Sequence, residues 1–232
     1  MNTSALGAFS LANIDLQNLA YYPEVEIFKK AILSSSDRDR KSLVRLWLTE
    51  GIPYAFKNNA GTYDEMREWL AIKLNIHAKD VTLVGSGRIG FSMKPNVFGR
   101  SFGGASDLDL TIINKELFEA CKSDAQKFSN DIISKKISPK SEFQKTNWED
   151  TIKRLPTLIK RGFIDTNQIL GNENYASILK INNTMWQLSV KLKNTPEIMT
   201  PKKVTARIYS DWDSLVTRVS FNLDSARKDF NK

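Results

Sequence analysis

The sequence predicts an α+β chain: a small mixed β-sheet flanked by helices, with additional N- and C-terminal helices. Three observations predict it. Apolar residues recur at helical spacing before residue 80 and again near the end of the chain. Short runs in the middle, Val81–Val84 and residues 106–113, read as strands. The composition, 41% hydrophobic and 26% charged over 232 residues, is that of an ordinary globular protein, with chain enough for one sizeable core or two small ones.

The elements follow in order. A short apolar helix is expected over residues 25–33. Ser36 and Asp37 offer an N-cap for a helix carrying Leu43, Val44, Trp47 and Leu48 on one side, ended by Gly51 and Pro53. Thr62 or Asp64 starts the next helix, with Met66, Trp69, Leu70 and Leu74 at helical spacing. Val81–Val84 is a short buried strand that ends at Gly85-Ser86-Gly87. A Gly- and Phe-rich stretch leads to the second strand, and residues 115–128 are helical. Residues 175–181 and 185–192 read as a strand hairpin joined through Asn182-Asn183. Residues 201–230 suit one long amphipathic helix, with Ile208, Trp212, Leu215, Val219 and Leu223 in its apolar stripe.

Composition narrows the function. No apolar run approaches the roughly 18 residues of a membrane helix, and residues 1–18 lack the order of a secretory signal. A cytoplasmic protein with no membrane partner is expected. Cys121 is the only cysteine and His77 the only histidine, so neither an internal disulfide nor a Cys/His zinc site is available. Cys121 reads as a small residue on a helix. The net charge of +8 and a pI near 9.4 favour polyanionic partners such as nucleotides or RNA. Aromatics among the basic residues, Trp148, Phe163 and Tyr175, are candidates for base stacking, with core packing as the more ordinary role.

The chemistry concentrates in the two strands. Residues i and i+2 of a strand share a face, so Asp107 and Asp109 project together while Leu108 and Leu110 point into the core. Adjacent carboxylates repel, and a divalent cation relieves the repulsion; magnesium prefers such hard oxygen ligands. At Gly85 the backbone can approach a phosphate, and Ser86 adds a hydroxyl donor. Arg88, Lys94 and Arg100 lie on the loop between the strands and can balance triphosphate charge.

The order strand, Gly-Ser turn, loop, then Asp-Leu-Asp strand resembles the nucleotidyltransferase superfamily that includes polymerase β, CCA-adding enzymes and second-messenger synthases. Gly85-Ser86-Gly87-Arg88-Ile89-Gly90-Phe91-Ser92, Phe98-Gly99-Arg100 and Ser106-Asp107-Leu108-Asp109 carry the likeness. It is closest to stand-alone bacterial nucleotidyltransferases of phage-defence or toxin–antitoxin modules. The resemblance implies transfer of a nucleoside monophosphate from an NTP to an acceptor hydroxyl of RNA, protein or another nucleotide, with Mg2+, or Mn2+ in its place. Asp107 and Asp109 are then catalytic and metal-binding, and Gly85, Ser86, Arg88, Ser92 and Lys191 nucleotide-binding. Three regions are expected: 1–80, helical and packed on the core; 81–195, the nucleotidyltransferase core; and 196–232, the C-terminal helix.

The match departs from the family in two places. The loop before the Asp pair is long, with residues 91–104 reading as an insertion that covers the nucleotide, contacts a partner, or is a surface excursion. The family also takes a third carboxylate from a later strand. The expected strand, 185–192, has Gln187, Ser189 and Lys191 on its polar side and no acid. Asp165 and Glu173 are other sources, with capping or solvated surface as their ordinary roles. The alternative function is therefore a catalytically degenerate member that binds nucleotide or nucleic acid, or a partner protein in a defence module.

Overall fold

The computed structural model describes residues 11–230. Residues 1–10 and 231–232, which the expected terminal regions include, lie outside it. A four-stranded sheet is at its centre. The strands are β1 (Val81–Val84), β2 (Leu108–Ile113), β3 (Phe163–Asp165) and β4 (Val204–Tyr209), in the order β1-β2-β4-β3. β1 runs antiparallel to β2, β2 parallel to β4, and β3 antiparallel to β4, so the sheet is mixed as expected.

Alternation along the strands separates two cores. On one face Leu83, Leu108, Leu110, Ile112, Ile164, Ala206 and Ile208 are buried with apolar residues of α4 (Ala60–Leu74), α6 (Lys115–Ile133) and α8 (Ala176–Lys193). On the other, Ile113, Phe163 and Tyr209 join α2 (Val25–Ser34), α3 (Asp37–Leu43) and α9 (Trp212–Phe230). Ser36 caps α3 in a reciprocal capping box with Asp39, as its sequence suggests. That helix continues as a wider π-type turn over Val44–Thr49, which buries Trp47 and Leu48. Two further helices, α1 (Ile14–Gln17) and α5 (Ser86–Ile89), are single turns, and α7 spans Glu142–Lys160.

Two expectations fail. The hairpin over residues 175–192 is instead the single helix α8. Its buried residues Ile178, Ile181, Met185, Leu188 and Leu192 are spaced by three and four, so one helical face meets the core. The alternation of Leu188, Val190 and Leu192 misled because Val190 is 41% exposed. Residues 201–230 are not one helix either. The first part is β4, which contains Ile208, and Trp212 opens α9 at 44% exposure. The central pair of strands is thus completed from the last region of the chain, beyond residue 195.

Candidate functional site

Asp107 stands one residue before β2, and Asp109 is the second residue of that strand. Both are half-buried, whereas Leu108 and Leu110 are sealed in the core. The approach to β2 is fixed by backbone bonds on both sides of Asp107. Lys202 N–H donates to the Ser106 carbonyl at 2.9 Å, and Leu108 N–H to the Lys203 carbonyl at 2.8 Å. The carboxylate of Asp109 has two different neighbours. Its Oδ1 accepts from the Thr205 hydroxyl at 2.8 Å, across the parallel β2–β4 register. Its Oδ2 faces the turn after β1, where a Cβ added to Gly85 would lie 3.4 Å away.

Gly85 has φ +68° and ψ −150°, a region that only glycine occupies without strain. This bend sends the chain from β1 into α5, whose first N–H groups receive no side-chain cap. Ser86 opens that turn and is half-buried. The structure therefore brings Gly85, Ser86 and Asp109 together, with Asp107 two residues before Asp109.

The same sheet face continues through Arg207 and Asp165. Arg207 pairs in register with Thr111 on β2 and with Asp165 on β3. Its Nε donates to Asp165 Oδ2 at 3.4 Å. Burial opposes the Arg207 charge, but the Asp165 and then the Asp109 carboxylates outweigh it and hold the pKa above the ordinary arginine value. Asp165 thus belongs to the sheet, two strands away from Asp109, and its charge is matched by Arg207. The place beside Asp109 on the neighbouring strand is held by Thr205, a hydroxyl.

Other expected ligands are placed elsewhere. Arg88 is fully buried, donates through Nη2 to the Glu50 carbonyl and stacks 5.0 Å from the Tyr21 ring centroid. It packs inward from α5 and cannot reach a triphosphate in solvent. Ser92 is buried, and its hydroxyl accepts from Lys94 N–H at 3.3 Å. Lys191 is on α8, not on a strand, and lies 5.4 Å from the Trp69 ring centroid of α4, among the helices that pack on the opposite face of the sheet. Glu173 begins a short 3-10 turn before α8 and lies on no strand of the sheet. Lys94 and Arg100 are exposed on the loop. That loop is itself packed. Phe91 bridges to Ser101, Phe98 meets Phe230 edge-on at 4.5 Å, and Phe91 meets Phe28 at 5.8 Å. Trp148, Phe163 and Tyr175 are buried, so they pack the core rather than offering stacking faces.

Asp107 and Asp109 are the residues of this group that could hold a divalent cation. Asp107 and Asp109 offer hard carboxylate oxygens, and magnesium commonly takes one or two carboxylates plus substrate phosphate oxygens. Among the described residues no group of three or more His, Cys, Asp or Glu could hold a metal ion. A cleft of about 700 Å³ lined by Lys41, Arg45, Glu50, Trp212 and Val216 contains none of the expected site residues. Among the described residues no helix is long and apolar enough to cross a membrane.

Thr205 and Arg207 are the site residues that sequence reasoning missed. The signal was the alternation Val204, Ala206, Ile208 against Thr205, Arg207, Tyr209, hidden within an assumed helix. No family model, curated protein or solved structure matches the chain.

Proposed function

We propose that the chain is a divalent-cation-dependent nucleotidyltransferase that transfers a nucleoside monophosphate from an NTP to an acceptor hydroxyl. The observation that carries this reading is the apposition of Gly85 to Asp109, which sets an uncapped glycine–serine turn against a carboxylate of β2, with Asp107 just before that strand. Two chemistries converge there. The backbone N–H groups and the Ser86 hydroxyl suit phosphate oxygens, and the carboxylates suit the accompanying cation. The basic chain favours a polyanionic acceptor such as RNA, with a protein or nucleotide hydroxyl as the other options.

Asp107 and Asp109 would hold magnesium, which when bound neutralises phosphate charge and favours ionisation of the attacking hydroxyl. Thr205 orients the Asp109 carboxylate through Oδ1. Gly85 and Ser86 hold the triphosphate so that its α-phosphorus faces the acceptor. The acceptor oxygen then bonds to that phosphorus, the bond to the bridging oxygen breaks, pyrophosphate leaves, and the hydroxyl proton passes to water.

The test is pyrophosphate release from each of the four NTPs with magnesium or manganese, in the presence of RNA or the protein alone. Turnover that disappears in Asp107→Ala supports the reading. Absence of NTP turnover across those conditions counts against it.

A second reading is favoured by Thr205 and Arg207. A hydroxyl stands beside Asp109 on the neighbouring strand, with a cation two residues further on the same face, and neither supplies a third acid; this suits a degenerate protein that binds nucleotide or RNA without transferring it. Binding that persists in Asp107→Ala/Asp109→Ala supports this alternative. Binding that needs both aspartates and magnesium argues against it.

A further inference from the structure

We infer that Arg207 is an anion-binding residue beside the carboxylate site, a fixed cation that contacts the phosphates of a triphosphate. The inference rests on the nucleotide-binding part of the proposed function. Register puts Arg207 on the same sheet face as Thr205 and Asp109. The guanidinium is anchored from one side: Nε donates to Asp165 at 3.4 Å, and among the described residues its other nitrogens have no hydrogen-bond partner. Arginine presents its donors as a rigid planar fork, so pinning Nε fixes where the remaining N–H groups point. The side chain is 39% exposed, so a solute can reach it, while Asp165 beneath it is 17% exposed and acts as the anchor.

Charge explains why an arginine belongs there. The carboxylates of Asp165 and Asp109 both act on the Arg207 charge, and Asp107 lies two residues before Asp109. A triphosphate approaching carboxylates is repelled unless cations intervene, and without a third acid on β4 only one divalent ion has an evident pair of ligands. A guanidinium supplies the second positive charge without needing ligands of its own, and it binds phosphate through paired charge-assisted hydrogen bonds.

The consequence is a share of triphosphate binding that does not need metal. The test uses inorganic tripolyphosphate in EDTA, and ATP with magnesium, titrated against wild type, Arg207→Gln and Asp109→Asn. Wild type is expected to bind tripolyphosphate in EDTA, with affinity falling about 10-fold or more in Arg207→Gln. Asp109→Asn should leave that metal-free binding intact or strengthen it, while abolishing the gain from magnesium. If Arg207→Gln does not fold, Arg207→Lys decides. It keeps the charge but not the fork, so weakening by several-fold is expected, and wild-type affinity overturns the inference. Tripolyphosphate binding that is absent in EDTA, or unaffected by Arg207→Gln, also overturns it. In either case magnesium-ATP binding that depends on Asp109 leaves the nucleotide site standing. Failure of wild type to bind ATP under any condition removes both.

Discussion

The hydroxyl of Thr205 donates to Oδ1 of Asp109 at 2.8 Å, joining two residues 96 positions apart across neighbouring parallel strands. That bond fixes the carboxylate, and in the proposed metal site Thr205 holds the place from which a third acid would act. Replacing Thr205 with Asp sets a second carboxylate against the first. Without metal, the repulsion should lower stability by about 1–2 kcal/mol. Magnesium should recover that loss by binding the folded state alone. Thermal melts with EDTA and with magnesium check this. A magnesium-induced rise larger in Thr205→Asp than in wild type is expected, and an equal response would mean that Thr205 does not border a cation site.

Gly85 holds a backbone conformation that costs an L-residue about 1–3 kcal/mol. The methyl of Gly85→Ala would lie 3.4 Å from Asp109 Oδ2, an ordinary contact, so the loss comes from the backbone rather than a clash. Urea denaturation should show Gly85→Ala destabilised within that range, and nucleotide affinity should fall because the turn shifts to relieve strain. A loss below about 0.5 kcal/mol would show that the turn relaxes freely.

Arg88 distinguishes a structural from a binding role. Its Nε and Nη1 are buried with no hydrogen-bond partner among the described residues, and burial pushes its pKa below the ordinary arginine value. Arg88→Met removes a poorly partnered charge and keeps most of the volume, so stability should change by less than about 1.5 kcal/mol. Arg88→Ala leaves a cavity and should cost about 2–5 kcal/mol. Isothermal titration should find unchanged ATP affinity in Arg88→Met. A large drop in a folded Arg88→Met would return Arg88 to the site.

Cys121 and Tyr175 give a pH signature on the far side of the sheet. Burial pushes the Cys121 thiol up to about 12, so native protein should resist an aromatic disulfide reagent at pH 8 and react only when unfolded. Burial, reinforced by the hydrogen bond to Asp131 at 2.9 Å, raises the Tyr175 phenol to about 12. The folded state therefore favours the neutral phenol. Its contribution is complete below the unfolded value near 10 and is lost as pH rises toward about 12. Denaturant melts between pH 9 and pH 12 should show this fall, to which the raised Cys121 thiol adds; Tyr175→Phe should make it shallower, and Tyr175→Phe/Cys121→Ala shallower still.

What could be read from the sequence was local. β1 spans Val81–Val84 as expected, and β2 covers Leu108–Ile113 within the expected run. The Asp pair and the glycine–serine turn were legible because each is set by residues two or three positions apart, through strand alternation and the conformational freedom of glycine. α8 was misread because its polar and apolar residues fit both periods over a few positions, and Asn182-Asn183 looked like a turn. Asn182 instead sits within the helix and donates to the Thr166 carbonyl at 3.3 Å.

By itself the sequence determined the α+β class and marked Asp107, Asp109, Gly85 and Ser86, near the end of β1 and the start of β2, as one candidate cluster. Only the tertiary structure decided which residues complete that cluster. Strand pairing brings Thr205 to Asp109 and Arg207 to Asp165 from segments remote in the chain. It turns Arg88 into the core and leaves Lys191 on a helix. Register is set by which faces the two cores bury, a global condition that no short stretch of residues encodes.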